Sequence, residues 1–486
     1  MKKIGMRIMA AALVCAATGA CTTDELQVLL GGSPAQGVLA ISTDYADTVV
    51  SSVDRLSRQA AVSELVTSGG SAGLSAPLSG DVVAAHTPSP FGEILLLDRT
   101  EGNLTIVTPG TGAIRGQFGV RSMSEDPNPN PTDVLVVSDE KIYVARQGQF
   151  TFAATTFDNE RSNDVVIMDP LTGDLTEVPA FDFNVVFGAS GTGHVNTAGN
   201  DFARADALSW AGDYVAVTLL NADAAFDGSA GTGLIALLDP ATDTIVDATP
   251  DTSSGTTDPI VLDAGGGDVC QGPGTKLVYR PTTQILYVAC SGIFGDYYAP
   301  QDGDHADQID ASRVMAVDLS PLAEGNDVVV TSIVAAEDFY TGGTMPDEMS
   351  PLSGELVILS PTLGFVTTYG SFGCNAVGVM SPCSPDTSAP PQNVSQALFS
   401  FNPATGEANT VPLANAFAYS FGSILGDPFT NTLYLADSAV GAVRIWDVDP
   451  SDNGNGSDLS DTAEDESAAF APTARPGILP RSLTFY

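Results

Sequence analysis

The residues best suited to chemistry by type and spacing lie in one segment, between Ser291 and Ser312. It carries three aromatic residues, then four aspartates and a histidine: Phe294, Tyr297, Tyr298, Asp302, Asp304, His305, Asp307 and Asp310. Closely spaced carboxylates could wrap Ca²⁺ with oxygen ligands, and the four aspartates would supply them. The spacing lacks the Glu at position 12 that an EF-hand loop needs, so a solvated acidic loop is the other interpretation. We therefore predict no cofactor, with Ca²⁺ at this segment as the alternative.

Histidine is the other residue type that could transfer protons near neutral pH. The chain has three: His86, His194 and His305. We expect His194 and His305 on one face of the protein and His86 on the opposite face, which disfavours a three-histidine zinc site. A pair of His194 with an aspartate is conceivable, but the sequence names no partner. The chain has no Walker or H-E-x-x-H motif, so we predict no catalytic residues and favour binding over catalysis.

Cysteine usage indicates an exported protein. Of the six cysteines, Cys15 and Cys21 lie near the N-terminus and four lie in the body of the chain: Cys270, Cys290, Cys374 and Cys383. An even number in an exported chain is typical of disulfides. Three pairings exist, and we favour the neighbours in sequence, Cys270 with Cys290 and Cys374 with Cys383. Without a C-x-x-C pair, a cysteine-based zinc site is not expected.

The first 20 residues have the pattern of a signal peptide. Three positive charges (Lys2, Lys3 and Arg7) precede an apolar run from Ile8 to Ala17, which is too short to span a bilayer. The following Thr18-Gly19-Ala20-Cys21 resembles the lipobox of bacterial lipoproteins, although that family usually has Leu where Thr18 stands. The resemblance implies lipidation of Cys21, and Thr22 after it favours the outer membrane. The alternative is cleavage after Ala20 and release of a periplasmic or secreted protein.

Composition limits the partners. Lys and Arg number 18 against 59 Asp and Glu, so the net charge is −41 and nucleic acid is excluded as a partner, because its binders need a basic surface. We expect contact with the membrane through the lipid only, and an envelope protein or glycan as the partner. Hydrophobic residues make up 43% of the chain, enough for a large core. We predict a signal peptide at 1–20, a tether at 21–35, and one domain at 36–486 with an acidic insert near 449–467.

Short apolar runs bounded by Gly, Pro, Asp or Asn recur along the whole chain, as expected for buried strands. A turn of the form Asp/Asn-Pro-x-Thr-Gly/Asp follows several of them, at Asp169, Asp239 and Asn402. Asp or Asn opens such a turn by accepting a backbone N–H, and Pro presets φ. Looser copies begin at Asp54, Thr108, Asp318 and Asp447. Seven copies indicate a sevenfold repeat.

A second recurring unit lies upstream of four of these turns, as in Lys141-Ile-Tyr-Val-Ala145 and Gln284-Ile-Leu-Tyr-Val-Ala289. With these motifs the chain, from about Gln36 to Tyr486, resembles the seven-bladed β-propellers with YVTN-like repeats, and in particular the bacterial lipoproteins that carry them. The resemblance implies an all-β fold. Only three strands precede the second blade, so the last residues, Ser482–Tyr486, should supply the missing inner strand and close the ring by pairing the two chain ends.

Loop lengths indicate where binding occurs. The connections from the second to the third strand, as at 291–312 and 371–394, and those between blades, as at 181–204 and 250–274, are long. In a propeller both kinds emerge on one face, and long loops on a rigid scaffold are where binding usually resides. We therefore expect an exported, lipid-anchored scaffold that binds a partner through this face. The alternative is an exported propeller enzyme, such as a lactonase-like hydrolase or a quinoprotein-like oxidoreductase.

Overall fold

The computed structural model describes residues 37–121, 129–148, 163–188, 192–195, 201–223, 231–251, 256–292, 309–340, 349–370, 395–416, 420–449, 468–473, 475 and 477–486. Every statement below concerns these residues. None of the helices among them is long and apolar enough to cross a membrane.

Seven antiparallel sheets, the blades, make up the fold, as the sequence predicts. Each blade has four principal strands, which we call A (innermost) to D (outermost). In that order blade 1 has β31 (Leu479–Phe485), β1 (Gly37–Thr43), β2 (Thr48–Asp54) and β3 (Ala60–Thr67); blade 2 has β4 (Val82–Ala84), β5 (Ile94–Asp98), β6 (Asn103–Thr108) and β7 (Ala113–Gly119); blade 3 has β8 (Pro131–Ser138), β9 (Lys141–Gln147), β10 (Asn163–Met168) and β11 (Leu175–Asp182); blade 4 has β13 (Ala205–Ala211), β14 (Tyr214–Leu219), β16 (Leu234–Asp239) and β17 (Thr244–Val246); blade 5 has β19 (Pro273–Arg280), β20 (Ile285–Cys290), β21 (Arg313–Asp318) and β22 (Val329–Ala335); blade 6 has β23 (Leu352–Ser360), β24 (Leu363–Thr368), β25 (Gln396–Phe401) and β26 (Ala414–Ala416); and blade 7 has β27 (Phe421–Asp427), β28 (Thr432–Asp437), β29 (Ala442–Asp447) and β30 (Ala468–Phe470).

The seven A strands form a closed ring around a central channel. Each contacts the A strand of the next blade, from β4 round to β27, and β31 contacts both β27 and β4. Strand β31 also pairs antiparallel with β1, with Val38 opposite Phe485 and Ala40 opposite Leu483. The predicted closure by the two chain ends is therefore confirmed.

The hydrophobic core lies between the blades. Seven clusters of buried side chains each join two neighbouring blades, and together they cover all seven interfaces. For example, Leu39 of blade 1 packs with Leu96 of blade 2, and Leu483 of blade 1 packs with Tyr434 of blade 7. Both faces of each sheet are thus buried, which explains the near-continuous apolar runs of the strands.

Each copy of the recurring turn starts at or just after the end of strand C, and the copies at Asp54, Thr108, Asp169 and Asp239 lead directly to strand D. Its first residue caps the turn as expected: Oδ1 of Asp169 accepts N–H bonds from Leu171 and Thr172, and Oδ1 of Asn402 accepts from Ala404 and Thr405. The last residue has a positive φ, 76° at Gly173 and 55° at Asp243, which suits Gly best.

The B–C and blade-to-blade connections emerge on one face of the ring, and the A–B and C–D connections emerge on the opposite face. Long connections occur on both faces: the B–C connections of blades 3 to 6 on the first, and those from β4 to β5 and from β29 to β30 on the second. We call the two the loop face and the turn face. The A–B turns are tight in blades 3, 4, 5 and 7, and with the C–D turns they lie on the turn face. The B–C and blade-to-blade connections share the loop face, where the side-chain amide of Asn130, just before β8, donates to Gln147 at the end of β9. A two-stranded ribbon there pairs β12 (Asp201–Phe202) with β15 (Ala222–Asp223), and a short helix, α1 (Phe183–Phe187), follows β11. Strand β18 (Ile260–Val261) extends blade 4 beside β16.

The disulfide between Cys270 and Cys290 is present, as favoured from the sequence, with Cα atoms 5.5 Å apart. It fastens the connection before β19 to the end of β20. Both cysteines are fully buried. Cys374 and Cys383, the acidic insert near 449–467 and the N-terminal 36 residues lie outside the described residues.

Removing this disulfide should destabilise blade 5. It closes a loop of 20 residues, and loop-closure entropy for that length predicts a loss of about 3 kcal/mol in the free energy of unfolding. We expect this loss for the Cys270→Ser/Cys290→Ser protein in urea denaturation. Dithiothreitol should then lower the midpoint of the wild-type protein but leave that of the variant unchanged.

Candidate functional site

A group of charged and polar side chains lies around the channel, in the first half of the A strands of blades 3 to 7 and just after the A strand of blade 2. In blades 3 to 7 the pairing of strand A with strand B shifts register near the start of strand A. Each irregularity contains or borders a polar residue of the group, in chain order Asp133, Asp206, Lys276, Glu355 and Ser423. Such bulges re-aim side chains. Blade 2 adds His86, two residues after β4. We call these six residues the channel cluster.

Lys276 and Glu355 form the centre of one half of the channel cluster. The Lys276 Nζ lies 2.8 Å from Glu355 Oε2 and donates to Ser423 Oγ at 2.7 Å and to the carbonyl of Ile424. Glu355 also accepts the Ile424 N–H at 2.9 Å. Burial alone would raise the pKa of Glu355, but the charge and hydrogen bond of Lys276, with the His86 charge and the Ile424 N–H, together outweigh it and the pKa is lowered. This half therefore links blades 5 and 6 by an ion pair and joins both to blade 7 by hydrogen bonds.

Asp133 and His86 form the other pair. The Nδ1 of His86 lies 3.0 Å from Asp133 Oδ2, and the Asp133 side chain is 1% exposed. Asp133 also accepts backbone N–H bonds from Val134 and Leu208, each at 2.8 Å. Burial alone would lower the pKa of His86, but the Asp133 carboxylate outweighs it, so the pKa is raised above 6.5. His86 is thus poised to carry a proton near neutral pH.

Of the ionisable residues in the channel cluster, Asp206 has the fewest contacts that stabilise its charge. It is 8% exposed. Its Oδ1 accepts one bond, from Gln147 Nε2 at 2.9 Å. Burial raises the pKa of Asp206 to about 6, although the charges of Arg99 and His86 oppose the rise. A buried carboxyl group that titrates near pH 6 is a common feature of functional sites.

Replacing Asp206 by Asn should stabilise the protein above pH 6. The folded-state pKa of about 6 exceeds the unfolded value of 3.8, so the ionised carboxylate costs stability above pH 6, and this cost disappears as the pH falls towards 4. The difference of about two pH units corresponds to roughly 3 kcal/mol. We expect Asp206→Asn to unfold at higher urea concentration than wild type at pH 8, and at the same concentration near pH 4. Asp139→Asn, on an exposed turn, should change neither.

The structure places few of the site residues predicted from the sequence. Phe294, Tyr297, Tyr298, Asp302, Asp304, His305 and Asp307 lie outside the described residues, and Asp310 is exposed, with its carbonyl accepting a bond from Arg313. His194 lies 3.5 Å by its Nε2 from Asp258 Oδ1, which is the aspartate partner that the sequence could not name. Among the described residues no three His, Cys, Asp or Glu side chains group as metal ligands.

We expected His86 on the face opposite His194. It lies in the A–B connection of blade 2, two residues after β4, and its side chain contacts Asp133 in the first half of β8. The sequence signal for the channel cluster is a polar residue early in the A strands of blades 3 to 7. This signal is visible only when the A strands of the blades are aligned with one another.

Comparisons with known proteins extend the fold assignment. No family model matches the chain, and no curated protein matches it. Among solved structures, a hypothetical selenium-binding protein from Sulfolobus tokodaii is similar with a TM-score of 0.55 at 9% identity, over 94% of this chain and 95% of that one. A protein from Lactobacillus plantarum has a TM-score of 0.50 at 10% identity, over 93% and 100% of the two chains. At these identities the likeness concerns the fold alone.

Proposed function

We propose that this protein is exported, is anchored to the outer membrane through a lipid on Cys21, and binds a polar partner at the loop face, with the channel cluster as the floor of the site. One observation carries the proposal: six consecutive blades each contribute a polar residue to the channel, and five of these residues lie in the half of strand A that begins on the loop face. Five of the six are ionisable, and buried ionisable groups are costly unless they serve a purpose.

Anchoring and binding are tested separately. For anchoring, the full chain is expressed with radiolabelled palmitate, and we expect label in the wild-type protein and none in Cys21→Ala. For binding, the Cys21→Ala chain is applied to arrays of envelope glycans and proteins. We expect a bound partner whose signal falls at least tenfold with Asp206→Asn and is unchanged with Asp139→Asn on the turn face. A partner retained equally by both variants would place binding away from the channel cluster.

The alternative is that the same site performs catalysis, as in an exported hydrolase. It is favoured by the pair of His86 and Asp133, whose 3.0 Å contact resembles the way a carboxylate orients a histidine general base. An esterase and lactonase panel with His86→Gln as the comparison tests it. Elemental mass spectrometry on the same protein asks whether one Ca²⁺ or transition metal is held per chain. A bound metal would direct attention to the segment 302–310.

A further inference from the structure

Arg280 is a buried arginine with no carboxylate beside it. It is the last residue of β19, so it lies at the turn-face end of the A strand of blade 5, and it is 9% exposed. Eight other arginines of the described chain lie within 3.8 Å of an Asp or Glu oxygen. The described residues provide no such contact for Arg280. In a chain with 59 acidic residues against 18 basic ones, this absence is unusual.

The guanidinium of Arg280 has most of its hydrogen-bonding capacity unused. A guanidinium cannot lose its charge in a protein, and a buried charge without a partner is costly. Nη1 donates to the carbonyl of Ile358 at 3.5 Å, which is long for a hydrogen bond. The Nε is buried and has no hydrogen-bond partner. The edge formed by Nε and Nη2 therefore has no acceptor among the described residues.

The neighbours of Arg280 are a tyrosine and two aliphatic residues. Ile285 lies directly opposite Arg280, and Tyr287 opposite Val278, so all four share one face of blade 5. That face packs against blade 6, where Val278 and Ile285 are only partly buried. Burial raises the pKa of Tyr287, and the charge of Arg280 opposes the rise. No described residue hydrogen-bonds the Tyr287 hydroxyl, so a cation and a hydroxyl adjoin an apolar wall.

The group that fits this edge best is a monocarboxylate. The Nε and Nη2 donors of an arginine match the spacing of two carboxylate oxygens. One negative charge balances Arg280, whereas a dianion such as phosphate would add to the excess of a chain that carries −41. Val278 and Ile285 favour an apolar group next to the carboxylate.

We propose that Arg280 binds the carboxylate of a small aliphatic acid at the turn-face end of the interface between blades 5 and 6. Nε and Nη2 donate to its two oxygens, and the Tyr287 hydroxyl donates to one of them. This site lies on the face opposite the binding role proposed above and does not depend on it.

Isothermal titration of the full chain with butyrate tests this, with butyramide as the neutral counterpart and the ionic strength held at about 0.15 M. We expect butyrate to bind with a stoichiometry of one. Its affinity should fall about ten- to a hundredfold with Arg280→Gln and about three- to tenfold with Tyr287→Phe, the scales of a charged and a neutral hydrogen bond. Arg121→Gln is the matched control, because Arg121 is exposed at the loop face, and it should leave the affinity unchanged.

A second variant and a direct signal separate binding from folding. Arg280→Lys keeps the positive charge but replaces the planar fork by a point charge, so it should fold like the wild type in urea denaturation and bind butyrate more weakly. In ¹H–¹⁵N spectra, the arginine Nε–H signal that is missing from Arg280→Lys should shift when butyrate is added to the wild-type protein.

Four results would overturn the proposal. Butyrate binding that survives Arg280→Gln would place it elsewhere on the chain, and equal binding of butyramide would mean that no charge is recognised. Binding of inorganic phosphate without butyrate would assign the site to dianions. A wild-type protein that binds no butyrate, with an unshifted Nε–H signal, would leave Arg280 as a structural residue.

Discussion

A chain that ends at Pro480 is expected to lose cooperative folding of the whole ring. The six missing residues form most of β31, which pairs with β1 and contacts both β27 and β4. Leu483 is buried between blades 7 and 1, and the Thr484 hydroxyl donates to the carbonyl of Ala85 in blade 2 at 2.7 Å. Loss of these contacts and of the apolar burial should lower the free energy of unfolding by more than about 5 kcal/mol, which is comparable to the total stability of many domains.

Circular dichroism during heating measures this effect. We expect the truncated chain to melt far below the full chain or to aggregate through the exposed edge of β1. A peptide of residues 477–486 added in trans should restore part of the lost stability, because it can pair with β1. Removal of Tyr486 alone serves as the matched control. A truncated chain that melts within about 2 °C of the full one would contradict the role of β31 in closing the ring.

The second large effect is expected from Lys276→Met. The substitution removes the cation beside the buried Glu355 carboxylate, and breaking a buried pair in this way costs about 3–5 kcal/mol. Because the Glu355 pKa is lowered in the folded protein, the native pair stabilises the protein above pH 4.5, and that contribution is lost as the pH falls through the folded-state pKa. The deficit of the variant should therefore be largest near pH 7 and smaller in acid.

The double variant Lys276→Met/Glu355→Gln separates the charge from the shape of the site. Gln keeps an acceptor for the Ile424 N–H, which Glu355 accepts at 2.9 Å, but it carries no charge. We expect the double variant to recover most of the stability lost in Lys276→Met, measured by urea denaturation at pH 7. Equal destabilisation of the two proteins would mean that the contacts of Lys276 with Ser423 and Ile424 matter more than the charge of Glu355.

The architecture was predictable because it depends on local sequence features that recur in each blade. Turn residues such as Asp169, Asp239 and Asn402 act within a few positions of themselves, so their chemistry can be identified from the sequence. Closure by Ser482–Tyr486 followed from counting strands. Disulfide pairing could be narrowed to neighbours, and Cys270 with Cys290 is confirmed.

The channel cluster could not be predicted in the same way. Lys276 donates a hydrogen bond to Ser423, which lies 147 residues away in the sequence, and His86 contacts Asp133, which lies 47 residues away. Such pairs depend on how the blades are aligned around the ring, and on bulges that shift a side chain from one direction to another. A single Lys or Glu within an apolar strand has the same appearance in the sequence whether it faces solvent or a channel.

The pairing of the two chain ends also determines on which face of the ring an N-terminal anchor would be attached. Gly37 lies opposite Asp54, at the start of a C–D turn, so the chain enters the ring on the turn face. Sixteen residues, 21–36, precede it from Cys21, and fully extended they reach at most about 58 Å. A lipid on Cys21 would therefore attach the propeller through its turn face and leave the opposite mouth of the channel free of the anchor.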